Sequence, residues 1–257
     1  MELNGAFQTS GEEGCCGPMF ATPKRNSELP SDLSPIGRQG SLGGLAYVAL
    51  KDSLIRGALR AGTKLTVRSV AQVLEVSTTP AREAITRLIG EGGLVNIGPK
   101  TVIVPKLTLP DLDELTAIRL ALEGLAAEQA ADKVTKEEIA ELEALQERIN
   151  LGLDEGRYTD VLDANKDFHF LIYRRAGMRH LVTMIESLWL RMGPAFNDLY
   201  PEFALSRTGV SNHLWAIRGL HDRDAAAVRA AIENDIRSGY RRLSALITAN
   251  QEGARTD

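Results

Sequence analysis

The sequence has few of the features that mark secreted, disulfide-stabilised or membrane-spanning proteins. Its only two cysteines, the adjacent Cys15 and Cys16, cannot cross-link a core and lack the second pair that a tetrahedral metal site needs. No apolar run approaches the roughly 18 residues that a membrane helix requires. A basic segment followed by an apolar one, the mark of a secretory signal, is also missing. These absences favour a reducing, cytoplasmic setting and no membrane partner.

Length and charge indicate two folded units behind a polar tail. A chain of 257 residues exceeds the usual size of one core. Residues 1–43 are rich in Gly, Ser and Pro, and we expect a disordered tail there. Between Leu45 and Pro105, eight Lys and Arg face four Asp and Glu, a net charge of +4, whereas the whole chain carries −4 and the remainder therefore −8. A basic module joined to an acidic body indicates contact with phosphates.

The most informative stretch, Val76–Ile89, predicts a helix with one polar face. Ser77 is a good N-cap, and Pro80 falls in the first turn, where its missing N–H costs nothing. Apolar residues recur at helical spacing on one side: Ala81, Ala84, Ile85 and Leu88. The other side carries Thr79, Arg82 and Thr86. Arg and Thr suit phosphates and base edges, but an ordinary surface helix fits this pattern equally well, so its neighbours must decide.

The neighbours of this stretch predict a winged helix-turn-helix over residues 44–105. A helical pattern starts near Gly44 and stops near Gly62, and Thr66 caps a second, short helix. After the third helix, two short strands are expected at 94–97 and 101–104. The turn between them is Gly98-Pro99-Lys100, which places Lys100 at the tip of a wing.

Beyond a proline-stiffened linker at 106–110, residues 111–250 predict an antiparallel bundle of about six helices, so the fold class is mostly α. One helix opens at Thr108 or Pro110, and another opens at the capping box Thr135–Glu138. The remaining helices are expected at about 159–176, 180–192, 205–220 and 224–249. The interior of such a bundle is its natural ligand site.

Four polar residues of the bundle could converge on one divalent cation. Asn165 and His169 lie four residues apart and share a helix face. His213 and Asp235 lie among apolar residues of two later helices. Neutral imidazole and carboxylate oxygen are common metal ligands. The alternative for each histidine is a core side chain that is satisfied by a neighbour. Trp189, Met192, Phe196 and Tyr200 are expected to serve core or dimer packing rather than binding.

The basic module resembles the winged helix of GntR-type bacterial transcription regulators. The resemblance lies in Leu65–Ala71, Val76–Ile85 and Leu88–Leu94. It implies that the protein binds double-stranded DNA through the second helix, the recognition helix and the wing. The implied contacts are Arg68, Ser77, Thr78, Thr79, Arg82, Gly98 and Lys100. Many members have Arg where this chain has Thr78, so the operator sequence is expected to depart from the family's commonest pattern.

The acidic body resembles the all-helical FCD effector domain of the fatty-acid-degradation-regulator subgroup of that family. The matching stretches are Ile118–Glu123 and Asn165–His169, with His213 and the last helix. In members that bind metal, these positions supply the ligands, which implies Asn165, His169, His213 and Asp235 here. The metal would be Zn, Ni or Mn. Asp replaces the usual His at the last position, and a weak or empty site stays open because oxygen ligands disfavour softer metals.

The same resemblance places Arg119 in the bundle interior. A buried guanidinium needs an anion, which Glu123, another internal carboxylate or a ligand could supply. One hypothesis is a small organic acid effector held by Arg119; the alternative is a structural Arg119–carboxylate bridge. The sequence thus predicts a homodimeric, ligand-responsive transcription regulator on an inverted-repeat operator. Two alternatives remain, namely a metal-dependent hydrolase that uses the His, Asn and Asp cluster, and a helical protein-binding adaptor.

Overall fold

The computed structural model describes residues 41–200 and 202–256. The disorder expected for residues 1–40, and with it Cys15 and Cys16, lies outside the described residues. Residues 41–43 of the predicted tail begin the first helix, because the Ser41 hydroxyl accepts a hydrogen bond from the Gly44 amide and caps it.

The N-terminal part is a winged helix-turn-helix, as predicted. Its helices are α1 (Leu42–Ile55), α2 (Val67–Val73) and α3 (Thr78–Gly90). Its antiparallel sheet has the order β1-β3-β2, with β1 (Lys64–Thr66), β2 (Val95–Gly98) and β3 (Thr101–Ile103). The apolar side of α3 that the sequence predicted is buried: Ala81, Ala84, Ile85 and Leu88. Because α3 packs on α1 and α2 through that side, its polar side faces outward.

Three local features of this part differ from what the sequence predicted. Helix α1 ends at Ile55 rather than near Gly62, because Gly57 adopts the left-handed backbone conformation with φ of 76°. Strand β1 was not predicted, and its Leu65 pairs with Val102 of β3. Ser77 occupies the N-cap position of α3, but its hydroxyl makes no capping hydrogen bond.

The C-terminal part is helical, with six long helices and one short one among the described residues. They are α4 (Leu109–Ala130), α5 (Lys136–Asp154), α6 (Tyr158–Arg175), α7 (Arg179–Phe196), α8 (Glu202–Ser206), α9 (Thr208–His221) and α10 (Ala225–Thr256). Capping boxes open α4 at Thr108 and α5 at Thr135. Of the predicted linker 106–110, residues 106–108 are non-helical. The helix expected at 205–220 is broken at Arg207, whose φ is 45°.

The winged part and the bundle meet where α1 packs on α7. Gly193 of α7 lies so near the end of α1 that an added Cβ would come within 2.6 Å of the Ile55 carbonyl oxygen. A Cβ on Gly57 would in turn lie 2.7 Å from the Gly193 carbonyl oxygen. The Asn197 amide also donates a hydrogen bond to the Gly57 carbonyl. The two parts therefore touch backbone to backbone at this joint.

None of the helices in the described part of the chain combines the length and the apolar character that a bilayer span requires.

Candidate nucleic-acid interface and metal centre

All seven residues that the sequence assigned to DNA contact are exposed. They lie on α2 (Arg68), at the start of α3 (Ser77, Thr78 and Thr79), further along α3 (Arg82), and on the wing (Gly98 and Lys100). A groove of about 650 Å³ between these elements brings together Arg68, Thr78, Arg82 and Lys100. Ser77, Thr79 and Gly98 do not line that groove. The structure thus joins four of the seven residues in one concave surface.

Four further polar residues line the groove, and sequence reasoning did not assign them to DNA contact: Thr66, Thr86, Asn96 and Thr101. Thr86 follows Arg82 by one helical turn on the same face, and Asn96 lies in strand β2. The signal for Thr86 was its i+4 spacing from Arg82. The signal for Asn96 was its position as the one amide side chain in strand β2, whose other residues are apolar or glycine.

The cationic side chains of the groove have no partners in the part of the chain that the structure describes. The side chains of Arg68, Arg82 and Lys100 form no hydrogen bond or ion pair with any described residue. Exposed Arg and Lys side chains of this kind are free to pair with phosphates or with base edges.

In contrast, the far end of α3 is held firmly against α1. The Tyr47 hydroxyl donates to the Glu91 carboxylate at 2.7 Å, and Arg87 lies 3.6 Å from the centre of the Tyr47 ring. Burial, together with the Glu91 carboxylate, raises the pKa of Tyr47, so the hydroxyl keeps its proton. These contacts fix the direction in which α3 presents its polar face.

A second, much smaller cavity lies inside the bundle and has a volume of about 50 Å³. Its polar lining comes from α4, α6, α7 and α10: Thr116, Arg119, Asn165, His169, Trp189, Asp235, Ser238 and Tyr240, with Tyr200 just beyond α7. Trp189, Met192, Phe196 and Tyr200, which were expected to serve only packing, all line this cavity. The i, i+3 and i+7 spacing of Trp189, Met192 and Phe196 indicated one common helix face, but spacing does not reveal what that face meets.

Three of the four predicted metal ligands lie close together, and two of them, His169 and Asp235, line this cavity. The His169 and His213 Nε2 atoms are 3.2 Å apart, and an Asp235 oxygen lies 3.4 Å from His169 Nε2. One ligand atom from each of these three residues lies within 4.8 Å of the other two. Asn165 lies one turn before His169 on α6 and lines the same cavity.

The outer nitrogens of both histidines are held by neighbours. His213 Nδ1 lies 2.8 Å from the Gln146 carbonyl oxygen, which can only accept, so Nδ1 carries the proton. The Tyr173 hydroxyl donates to Glu123 at 2.6 Å and is therefore left to accept from His169 Nδ1 at 3.1 Å. Burial lowers the pKa of His213 to about 3, so its imidazole is neutral. In these tautomers both Nε2 atoms carry a lone pair, and they lie 3.2 Å apart beside the Asp235 carboxylate.

This arrangement fits a divalent cation. In a tetrahedral site with ligand bonds of about 2.0 to 2.1 Å, neighbouring ligand atoms lie about 3.3 Å apart. The observed separations of 3.2 and 3.4 Å match that spacing. Outer hydrogen bonds such as those of Gln146 and Tyr173 are typical of histidines that bind metal. Sequence reasoning missed both residues, although Tyr173 follows His169 at i+4.

Arg119 is paired inside the bundle. Its Nε donates to Glu123 at 2.6 Å and its Nη2 donates to the second Glu123 oxygen at 3.2 Å. Burial alone would lower the pKa of Arg119, but the Glu123 carboxylate raises it, so the guanidinium stays charged. The structural bridge that the sequence left open as an alternative is present, and Arg119 nevertheless lines the cavity.

Comparison with known proteins identifies both parts of the chain. Residues 44–100 match the model of the bacterial regulatory proteins of the gntR family, and residues 114–238 match the FCD domain. The chain is 34% identical to the HTH-type transcriptional regulator McbR of Escherichia coli K12 over 182 residues, which cover 70% of this chain and 82% of McbR. The chain belongs to the GntR family.

Other known proteins extend this likeness. The HTH-type transcriptional repressor RspR of Escherichia coli K12 is 26% identical over 191 residues, 72% of this chain and 82% of RspR. The solved structure of E. coli McbR/YncC superposes with a TM-score of 0.75 and 30% identity, covering 81% of this chain and 99% of that one. A GntR-type regulator from Rhodococcus sp. RHA1 has a TM-score of 0.66 at 18% identity, with 80% and 99% coverage, and supports the fold alone.

These findings confirm the main functional prediction. The chain is a DNA-binding transcription regulator of the GntR family with an FCD effector-binding domain. It is a regulator and not an enzyme, so the hydrolase alternative is set aside. Because the winged helix belongs to a DNA-binding family, the adaptor alternative is set aside as well.

Proposed function

We propose that this GntR-family regulator binds a short inverted repeat as a homodimer and responds to a small carboxylate held in the FCD bundle. The observation that carries the proposal is that the same chain has two sites. One is an exposed groove whose Arg and Lys side chains have no partner among the described residues, and the other is a bundle cavity beside a cluster of possible metal ligands. Two winged helices related by a two-fold axis would read two half-sites. Its place of action would be the cytoplasm, where a bacterial chromosome lies.

The proposed DNA contacts are the seven residues of the sequence analysis: Arg68, Ser77, Thr78, Thr79, Arg82, Gly98 and Lys100. Arg82 reads a base edge from the middle of α3, since its guanidinium offers a planar fork of donors and it lines the groove. Arg68 and the hydroxyls at the start of α3 contact phosphates. Lys100, with Gly98 beside it, enters the minor groove from the wing. Thr78 supplies a hydroxyl and a methyl group where an Arg is usual, and this changes the base preference.

The proposed metal ligands are Asn165, His169, His213 and Asp235. Support comes from the two Nε2 atoms that lie 3.2 Å apart, from the neutral His213 and from the outer hydrogen bonds. Two nitrogens with carboxylate and amide oxygens suit Zn, Ni or Mn. A bound cation would supply positive charge to anchor the carboxylate of an effector. The chain itself orients both imidazoles through Gln146 and Tyr173.

The size of the cavity limits the effector. A volume of about 50 Å³ has room for about three or four water molecules, or for a short organic acid of similar size. We also propose that the protein belongs to the fatty-acid-degradation-regulator subgroup, and the support for this is the match to the FCD domain. A long acyl chain would require the cavity to enlarge several-fold, so we propose a short acid.

Helix α7 provides the coupling in this proposal. One side of α7 lines the cavity with Trp189, Met192 and Phe196, while Gly193 touches the end of α1 in the winged part. An effector that binds one position of α7 better than another would therefore shift the winged part. Tight binding without such a preference would change nothing.

The proposal is tested by selecting genomic fragments on the purified protein, with and without short carboxylates. We expect fragments that share an inverted repeat, one dimer per repeat, and an affinity that changes when the acid is added. The metal content of the same preparation is measured by elemental analysis, with about one divalent ion per chain expected. Fragments without a shared repeat, or a monomer on a single half-site, would contradict the dimeric mode of binding.

A further inference from the structure

Trp189 has a buried hydrogen-bond donor that nothing in the described part of the chain satisfies. The residue is 1% exposed, and its indole Nε1 finds no acceptor among the described residues. Buried indole N–H groups usually have a partner. Trp189 also lines the bundle cavity, so the missing acceptor can come from a molecule that enters the cavity.

The groups around Trp189 point to an anionic acceptor. The Arg119 guanidinium carbon lies 5.3 Å from the centre of the indole ring, and the His169 ring centre lies 5.4 Å away. Arg119 has already given two of its donor nitrogens to Glu123. The indole N–H is therefore a buried donor without an acceptor among the described residues, on a ring that lies near both the Arg119 guanidinium and the His169 imidazole.

We propose that the Trp189 indole N–H is the second anchor of the effector and donates to an oxygen of a short carboxylic acid. This inference rests on the proposed effector class, short carboxylic acids, and adds a protein group that recognises them. One oxygen of the acid meets the indole N–H, and another oxygen is directed toward the histidine cluster. The cavity volume of about 50 Å³ confines this arrangement to small acids.

The acceptor requirement separates acids from apolar ligands of the same size. A methyl or methylene group in front of the N–H would leave the donor unsatisfied in a water-excluded place, which is unfavourable. A site that contains a buried polar group discriminates strongly against ligands that cannot pair with it. Trp189 would then determine specificity, in addition to filling space.

The test uses indole-15N-labelled, full-length protein and follows the two tryptophan side chains by NMR. The chain has two tryptophans, and Trp215→Phe removes the exposed one, so the remaining indole signal belongs to Trp189. Sodium acetate, sodium pyruvate and sodium malonate are added in turn. We expect the Trp189 indole proton to move to lower field and to saturate at the concentration at which the acid raises the melting temperature.

The matched variants are Trp189→Phe, which keeps an aromatic ring without the donor, and Trp215→Phe. Loss of a hydrogen bond to a charged acceptor should weaken acid binding about 10- to 100-fold in Trp189→Phe, with no change in Trp215→Phe. If an acid binds the wild type but neither moves the Trp189 signal nor loses affinity in Trp189→Phe, this inference is overturned and the effector class stands. If none of the three acids binds the wild type, the effector class and this inference both fall. The NMR measurement keeps Trp189 itself unchanged, so it remains decisive if Trp189→Phe does not fold.

Discussion

The polar side chains of the DNA-facing groove and those of the bundle interior differ in whether they have partners within the described part of the protein. In the groove, Arg68, Arg82 and Lys100 are exposed and have no partner among the described residues. In the bundle, an unbroken chain of polar contacts runs through five buried residues on four helices: Gln146, His213, His169, Tyr173 and Glu123. Arg119 ends that chain at Glu123.

This difference separates recognition from stability. A surface cation without a partner contributes little to stability, and its substitution should change only the affinity for the molecule that it binds. A buried ion pair behaves otherwise, because removal of one member leaves a charge without water or counterion. Loss of an arginine in the groove should therefore lower DNA affinity, whereas loss of the ion pair that contains an arginine in the bundle should lower stability. Four substitutions, taken from the largest expected effect to the smallest, test this contrast.

Glu123→Ala should cause the largest loss of stability. The change leaves the Arg119 guanidinium buried without its carboxylate and also removes the acceptor of Tyr173. We expect the free energy of unfolding to fall by about 3 to 5 kcal/mol, measured by urea denaturation. Glu128→Ala is the control on the same helix, since Glu128 pairs with Arg229 near the surface, and it should cost less than about 1 kcal/mol. Equal losses of unfolding free energy in the two variants would contradict the difference between the buried and the surface ion pair.

His169→Ala should empty the proposed metal site while sparing the groove. Loss of one nitrogen ligand is expected to lower metal affinity at least about 100-fold, as measured by elemental analysis after dialysis. His180→Ala serves as the control because His180 is exposed at the start of α7. DNA affinity of the metal-free protein should be the same in both variants. An unchanged metal content in His169→Ala would remove this residue from the site.

Arg82→Ala should strongly weaken specific DNA binding without affecting the fold. The loss of one bidentate base contact is expected to reduce operator affinity about 10- to 100-fold, measured by fluorescence anisotropy on the selected fragment. The free energy of unfolding should stay within about 0.5 kcal/mol of the wild type. Arg218→Ala, at an exposed arginine of α9, provides the control and should bind normally. Wild-type affinity in Arg82→Ala would reject α3 as the recognition helix.

Lys100→Ala should have the smallest effect, equal on all DNA sequences. A lysine that enters the minor groove and neutralises a phosphate there adds affinity without base information, so its loss should reduce the slope of log affinity against log salt by about 1. Operator and random DNA should weaken by the same factor. Lys136→Ala, on the exposed first turn of α5, is the control. Weakening on the operator alone would show that Lys100 reads sequence.

Features with local causes could be predicted from the sequence. Thr108 and Thr135 cap their helices through hydroxyls three residues from the partner amide. The buried face of α3 follows from helical spacing alone. The convergence of His169, His213 and Asp235 was proposed with the support of a family resemblance, because three separate helices must pack before these side chains can meet.

The features that were missed depend on distant parts of the chain. Strand β1 has three residues and exists because Leu65 pairs with Val102 of the wing, a partner 37 positions further along. Tyr173 and Gln146 gain their roles only when α4, α5 and α9 are in place around α6. The aromatic side of α7 looked like ordinary packing, since spacing reveals which residues share a face but not what the face encloses.

The backbone contact between Gly57 and Gly193 has a consequence for chimeric regulators. When a winged helix is exchanged between family members, the incoming segment will seat on this bundle only if it brings a glycine at the position of Gly57. Any side chain there would meet the Gly193 carbonyl at 2.7 Å from its Cβ, and the left-handed backbone disfavours it as well. The two glycines should therefore be transplanted as a pair.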